Sequence, residues 1–241
     1  MEIVAKPGIL ENRTWPFAKP VVQETFQGLD IPCLLPREDV RDAFISAVHD
    51  GIDALPPGVV VGSSSLRRRA QLLHRRPDIQ VVEFRGNVQT RLRKLSQGVA
   101  EATFLAAAGL RRLGHADLAA RAIPEDEMLP AVAQGAIGIE LRTGDANTRA
   151  LLAAIHDTDT ETRLAAERAF LAGLDGSCRT PIAGLAELEG DRVSFRGQIL
   201  RPDGSEAFET TREGPQSDAA RMGADAAAEL RARGGPDFFQ A

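Results

Sequence analysis

The chain has 241 residues, 43% of them hydrophobic, and a formal net charge of -5 at pH 7. A chain of this length and composition can bury ordinary cores in one large domain or in two to three small ones. The acidic balance does not favour nucleic acid as a partner, and no stretch approaches the ~20 apolar residues that a membrane-spanning helix requires.

Residues 1 to 28 show no sustained hydrophobic period, so we predict little regular structure there. The apolar core of a signal peptide is absent, which favours a soluble, cytoplasmic protein. From Ile31 the run IPCLLP predicts a strand, and PREDVRDAF, with Val40, Phe44 and Ile45, predicts the start of a helix. The break at ALPPG then leads into a buried strand, VVVG.

The next segments alternate between strand and helix patterns. The strands are VVVG, DIQVVEF and ATFLAAAG, and the helices are SSSLRRRAQLLHRR, RGNVQTRLRKLSQG and LRRLGH. Repeated βα units predict a parallel sheet with helical crossovers, and ligands of open sheets bind at the carboxyl ends of the strands.

The C-terminal half has a different pattern. After a buried segment with a Gln134–Gly135 turn, NTRALLAAIH and ETRLAAERAFLAGLDG predict amphipathic helices. Beyond Cys178, PIAGLAELEG, DRVSFRGQIL and SEAFETTREG alternate apolar and polar residues around two turns, which predicts a three-stranded antiparallel sheet. The segment SDAARMGADAAAELRAR predicts a helix over one face, so we expect a separate small α+β domain here.

Positive charge is concentrated between Arg67 and Lys94, where eight arginines and one lysine face only two acidic residues. Solvated helix faces are one explanation for such a run. Cations are unfavourable at helix starts, however, so we infer that a bound carboxylate or phosphate compensates those that follow strands, with Ser63, Ser64 and Ser65 as further donors. Five arginines follow predicted strands or lie in the next helix: Arg67, Arg68, Arg85, Arg91 and Arg112.

Cys178 lies in the loop DGSCRTP, after a glycine and beside Arg179. This position suits an accessible thiolate nucleophile, and a passive, partly buried residue is the alternative. Cys33, inside IPCLLP, is expected in the core. The cysteines and the four histidines lack metal-ligand spacing, and the chain has no Walker A loop or GxGxxG motif, so we predict neither a metal nor a nucleotide cofactor.

Cys178 and the five arginines lie in seven ordered motifs that resemble the porphobilinogen deaminase (hydroxymethylbilane synthase) family. The motifs are LPREDVRDAFIS, VVGSSSLRRRAQL, RGNVQTRLRKL, LAAAGLRRLG, MLPAVAQGAIGIE, AERAFLAGLDGSC and PIAG. The resemblance implies a transferase of tetrapyrrole (haem or chlorophyll) biosynthesis that joins four porphobilinogen units into hydroxymethylbilane and releases ammonia. It also implies a dipyrromethane cofactor bound by thioether to Cys178, with a carboxylate-binding set at Ser65, Arg67, Arg68, Arg85, Arg91 and Arg112.

The family's organisation implies an α/β fold with two domains like those of periplasmic binding proteins and a small C-terminal α+β domain. Residues 39–129 would form the second domain, with the arginine site, and residues 158–241 the C-terminal domain, with the cofactor cysteine. Residues 1–38 and 130–157 would be the remnant of the first domain. We expect a monomer whose partners are porphobilinogen and the growing polypyrrole.

Two positions depart from the family pattern. Lys19 matches the lysine of a KD pair, but Pro20 stands where the catalytic aspartate is expected, and Ala133 replaces a glycine. Because proline has no carboxylate to stabilise cationic intermediates, we assign no catalytic residue. The alternative function is therefore that of a truncated, catalytically silent homologue that binds tetrapyrrole precursors.

Two further expectations concern the basic window and the stability of the chain. Nucleic-acid binding by the window is a third hypothesis; it would weaken steeply with salt, but Phe84 is the only aromatic residue there. Residues 29–38 and 136–153 should expose apolar surface, which predicts a marginally stable protein.

Overall fold

The computed structural model describes residues 28–176 and 180–240. Short 3-10 turns at Ala153–Ile155 and Gln216–Asp218 follow the fifth helix and precede the last one. In chain order the other elements are β1 (Leu29–Leu34), β2 (Asp42–Ser46), β3 (Val60–Gly62), α1 (Leu66–Arg75), β4 (Gln80–Val82), α2 (Val88–Ser96), β5 (Ala102–Ala106), α3 (Ala107–Arg112), α4 (Ala116–Ala119), β6 (Gly138–Arg142), α5 (Ala146–Leu152), α6 (Thr158–Gly173), β7 (Ile182–Glu189), β8 (Arg192–Leu200), β9 (Ala207–Pro215) and α7 (Ala219–Gly234).

The arginine-rich segment belongs to a four-stranded sheet with the strand order β2-β5-β3-β4. Strand β3 runs parallel to both β4 and β5, as the βα alternation predicts. Helices α1 and α2 are the crossovers between these strands. The carboxyl ends of the three parallel strands therefore lie at one edge of the sheet, where α1, α2 and α3 begin.

Strand β2 corrects one prediction, because the segment expected to start a helix pairs antiparallel with β5 instead. Phe44 packs into one hydrophobic core with Phe104, whereas Ala43 and Ile45 pack into a second core with Leu110. A strand buried on both faces has a continuous apolar run rather than an alternating one. The charged residues just before this run gave it the pattern of a helix start.

Strands β1 and β6 form a separate two-stranded antiparallel sheet. A two-stranded sheet is marginal by itself and depends on what packs against it. Cys33 is fully buried, as predicted, and burial raises the pKa of its thiol. Leu151, on the neighbouring α5, is 67% exposed. The marginal stability of the chain stays a prediction, which a cooperative melt at high temperature would contradict.

The C-terminal part confirms the predicted antiparallel sheet and its covering helix. Strands β7, β8 and β9 pair in sequence order, and Phe170 of α6, Phe195 of β8 and Leu230 of α7 share one core. Gly223 of α7 lies so close to the Ala166 backbone that a Cβ would overlap it. The structure is thus a mixed α/β sheet domain with a small α+β unit.

The α+β unit also contacts the arginine-bearing helix. The carbonyl oxygen of Gly204, at the tip of the β8–β9 hairpin, accepts a hydrogen bond of 2.8 Å from His74 Nδ1 of α1. Gly204 has φ +77°, and a Cβ there would lie 2.5 Å from the His74 backbone nitrogen. No helix in the described part of the chain is long and apolar enough to cross a membrane.

Candidate anion site

The serines after β3 form the turn that starts α1. Ser65 is the N-cap, and its hydroxyl oxygen accepts a 3.4 Å hydrogen bond from the Arg68 backbone N–H. The Ser64 hydroxyl accepts from the Phe84 backbone N–H at 2.9 Å and so links this turn to the end of β4. Ser65 is partly exposed and its hydroxyl still has a proton to donate, whereas the Ser64 hydroxyl is also hydrogen-bonded to the Glu83 carboxylate.

Gly62 allows the two strand ends to approach. A Cβ at this position would overlap the fully buried ring of Phe84. The ring therefore lies directly on the backbone at the end of β3, and its position fixes where the chain continues to Arg85. A glycine is required at position 62 by this contact.

Arg67 and Arg68, in the first turn of α1, bind the same buried carboxylate. Asp42 of β2 is fully buried, and its Oδ2 accepts from an Arg67 terminal nitrogen at 2.7 Å. Its Oδ1 accepts from Arg68 Nε at 3.0 Å and from an Arg68 terminal nitrogen at 2.6 Å. The two arginine side chains are only 5% and 10% exposed. An acidic residue of the chain itself thus compensates them, which the sequence reasoning missed.

The ionised state of this cluster follows from its charges. Burial would raise the pKa of Asp42, but the charges of Arg67 and Arg68 and their hydrogen bonds outweigh it, so the pKa is lowered. For Arg67, burial and the neighbouring Arg68 lower the pKa, and Asp42 opposes them. We take all three groups as charged, because guanidinium remains protonated in proteins.

Backbone carbonyls and two glutamines complete the cluster. Arg67 also donates to the Leu129 carbonyl at 2.8 Å, and Arg68 to that of Phe104 at 3.0 Å. Gln134 Nε2 donates to Asp42 Oδ1 at 3.0 Å, and Gln71 both donates to and accepts from the backbone of Leu129. These bonds fix α1 against the segment that leads into the Gln134–Gly135 turn.

The Gln134–Gly135 turn contains two residues with positive φ angles, Ala133 and Gly135. Gly135 has φ +81°, and a Cβ there would lie 2.5 Å from the Glu38 carbonyl oxygen. Ala133 has φ +59°, in the left-handed region that favours glycine, and its N–H donates to the buried Glu167 at 2.7 Å. Ala133 is thus held in a strained conformation that a glycine would adopt more easily.

Arg91 of α2 is the second cation near Arg68. Burial, followed by the positive charge of Arg68, lowers the pKa of Arg91. Its Nε donates to the Gly86 carbonyl at 2.9 Å. Within residues 28–176 and 180–240, no carboxylate forms an ion pair with it. Arg91 is thus close enough for the charge of Arg68 to affect it, and among the described residues Asp42 is the carboxylate that forms an ion pair with Arg68.

Arg85 and Arg112 are exposed, unlike Arg67 and Arg68. The Arg85 side chain is 82% exposed, and its Nε donates to Glu83 at 2.6 Å, which raises the pKa of Arg85. Arg112 is exposed in the last turn of the six-residue helix α3, not at its start as the sequence pattern indicated. In the described part of the chain, no shared hydrogen bond or ion pair joins either residue to Arg68 or Arg91.

Cys178 lies outside the described residues, as do Lys19 and Pro20. The described flank shows how the chain approaches the cysteine loop: Asp175 has φ +50°, and a Cβ at Gly176 would overlap the side chains of Leu171 and Ile182. Among the residues that the structure describes, no group of three or more histidine, cysteine or acidic side chains could hold a metal ion.

Comparisons with known proteins agree with this architecture. Residues 17–150 match a family model described as porphobilinogen deaminase, dipyromethane cofactor binding domain, and residues 162–232 match the porphobilinogen deaminase C-terminal domain. A porphobilinogen deaminase of Paracoccus denitrificans is 66% identical over 88% of this chain and 68% of the relative. Those of Nitrobacter hamburgensis and Nitrobacter winogradskyi are each 58% identical over 87% of this chain and 66% of the relative. The chain thus spans about two thirds of the length of these curated relatives.

Proposed function

Because the chain belongs to the porphobilinogen deaminase family, we propose that it acts in tetrapyrrole biosynthesis as a hydroxymethylbilane synthase. The overall reaction is a transfer that joins four porphobilinogen units head to tail, with one ammonia released at each addition. The whole activity is a proposal for this chain, because it spans about two thirds of its relatives.

The observation that supports the proposal best is the cluster of Arg67 and Arg68 on one buried carboxylate, with Arg91 close enough for the charge of Arg68 to lower its pKa further after burial. Each porphobilinogen has an acetate and a propionate, so the ligand is a polycarboxylate. Asp42 balances one of the three charges on Arg67, Arg68 and Arg91, which leaves a net charge of about +2 at this edge of the sheet. A ligand with two or more carboxylates matches that excess.

The described residues fit the dipyrromethane cofactor named by the family model. We propose that Ser65, Arg67, Arg68, Arg85, Arg91 and Arg112 bind its carboxylates and that Cys178 holds it covalently. When bound, the cofactor supplies the primer from which the polypyrrole grows. The exposed Arg85–Glu83 pair is a weak interaction in water, so Arg85 can exchange Glu83 for a ligand carboxylate.

The organisation proposed from the family follows the three sheets. We propose a periplasmic-binding-protein-like arrangement in which residues 39–129 hold the arginine site and residues 158–241 present the cysteine. Residues 1–38 and 130–157 would belong to the other domain of the pair. We also propose that the chain is a monomer.

Mass spectrometry of the purified chain tests the proposal. After expression in a cell that makes porphobilinogen, the peptide with Cys178 should carry the mass of a dipyrromethane, and porphobilinogen should be converted to hydroxymethylbilane. Cys178→Ser should abolish both results, whereas Cys33→Ser is the matched control and should retain the adduct. An unmodified Cys178 without product would contradict the proposal.

A second candidate function is binding without turnover. It is favoured by Pro20, which stands where the family's catalytic aspartate is expected. In that case porphobilinogen binds to the arginine site but no ammonia is released. Product formation by the wild-type chain would eliminate this candidate.

A further inference from the structure

Asp42 is the buried acidic residue on which the arginine site depends. It is fully buried on β2, and three side chains from two separate segments donate to its two oxygens: Arg67 and Arg68 of α1, and Gln134 of the turn before β6. We propose that Asp42 is a positioning residue that presets Arg68, beside Arg91, for a ligand carboxylate. This proposal rests on the proposed function, in which a polycarboxylate binds at this edge.

The acceptors of Arg67 and Arg68 support this role for Asp42, because they leave Arg68 with N–H groups for a ligand. Arg67 is anchored by one terminal nitrogen to Leu129 and by the other to Asp42, and its Nε has no partner among the described residues. Arg68 uses Nε and one terminal nitrogen on Asp42 and the other terminal nitrogen on Phe104. Each terminal nitrogen of Arg68 carries a second N–H, so the fork can bind a ligand without leaving Asp42.

Charge explains why a carboxylate is needed at position 42. Arg67 and Arg68 are adjacent, both are buried, and both lie at the positive end of the α1 dipole. Without a carboxylate between them, they would repel each other and Arg91 in surroundings of low dielectric. The guanidiniums would then separate before any ligand arrived, and the ligand would have to bring them together again.

Asp39 provides a matched control three residues earlier. Its carboxylate is also held by two arginines, the half-buried Arg41 and the exposed Arg111, with nitrogen–oxygen distances of 2.8 Å in both pairs. Neither of these arginines is in the proposed ligand-binding set. If loss of any arginine-paired aspartate in this segment weakened ligand binding, both variants should show it, whereas a positioning effect should be confined to Asp42.

The experiment compares Asp42→Asn with Asp39→Asn in the full chain. Porphobilinogen affinity is measured by calorimetry on folded protein, and phenylglyoxal labelling of each arginine is mapped by mass spectrometry without ligand. We expect Asp42→Asn to weaken porphobilinogen binding about tenfold or more and to increase the labelling of Arg68. Asp39→Asn should leave both near the wild-type values.

A double-mutant cycle separates positioning from a general structural effect. In an Arg68→Gln background, Asp42→Asn should produce little further loss of affinity, because the residue through which it acts is gone. Losses that add fully in the two backgrounds would overturn the proposal. A wild-type affinity in Asp42→Asn would also overturn it, whatever the labelling shows.

Two further outcomes keep the test decisive. If Asp42→Asn does not fold, Asp42→Glu takes its place, because it retains the charge but displaces the carboxylate by about one methylene. Weaker porphobilinogen binding by folded Asp42→Glu supports the proposal, and wild-type affinity overturns it. If the wild-type chain does not bind porphobilinogen, the proposed function fails, and labelling alone then decides the role of Asp42. Unchanged labelling of Arg68 in the Asp42 variant would overturn that role.

Discussion

Arg67 and Arg68 are buried around Asp42, whereas Arg85 and Arg112 are exposed, although all four belong to one carboxylate-binding set implied by the family resemblance. The buried pair is fixed by backbone carbonyls and by a carboxylate of the chain itself. The Arg85 side chain, by contrast, forms an exposed ion pair with Glu83. The same residue type can thus set the shape of a site where it is buried and supply movable charge where it is exposed.

The largest expected difference between the buried and the exposed arginines is in stability, measured after the acidic partner of each kind is removed. Asp42→Ala should lower the free energy of unfolding by about 3–5 kcal/mol, because it leaves two buried guanidiniums without their carboxylate. Glu83→Ala should leave the urea midpoint unchanged, because its ion pair with Arg85 is exposed and screened by solvent. Equal midpoints for the two variants in urea unfolding would show that the Asp42 cluster adds no particular stability.

The contribution of Asp42 to stability should also depend on pH. The pKa of Asp42 is lowered in the folded state, so its contribution to stability is present above the unfolded-state value of about 3.9 and is lost as the pH falls through the folded value. The difference in unfolding free energy between wild type and Asp42→Asn should therefore shrink from pH 7 to strongly acidic pH. Urea unfolding across this range measures it. A difference that is constant with pH would mean that Asp42 is not ionised in the folded protein.

The smallest expected effect concerns the backbone that supports the buried pair. Ala133 precedes Gln134, which donates to Asp42, and it has φ +59°. Ala133→Gly should stabilise the chain by up to about 1 kcal/mol by relieving the left-handed strain, partly offset by the greater freedom of glycine in the unfolded state. Thermal and urea unfolding measure the change. Ala136→Gly, beside the same turn but without a positive φ, is the matched control and should not stabilise.

Much of the fold follows from local pattern. Helices α1 and α6 and strands β7, β8 and β9 have clear periods and turn residues, so sequence alone predicts them. Strand β2 was predicted wrongly because its apolar residues face two cores and show no alternation. Only its pairing with β5 makes it a strand.

The site was harder to predict than the fold. The arginines were visible as a charge run, but Asp42 lies next to Arg41 in a segment with the pattern of an exposed helix start. Its partners in α1 and in the turn at Gln134 are 25 to 92 residues away in sequence, so only tertiary structure brings them together. An acidic residue directly before a buried apolar run is the one local signal that could have indicated it.

The central claim is that Arg68 and Arg91 together bind carboxylates of porphobilinogen. It is tested most directly by calorimetric titration of porphobilinogen into the wild-type chain, Arg91→Gln and Arg93→Gln, the last a control at an exposed position on the same helix. Arg91→Gln should weaken binding by about tenfold or more, because a charge-assisted bond to the ligand is lost, and Arg93→Gln should bind like the wild type. Equal affinities for all three proteins would contradict the claim.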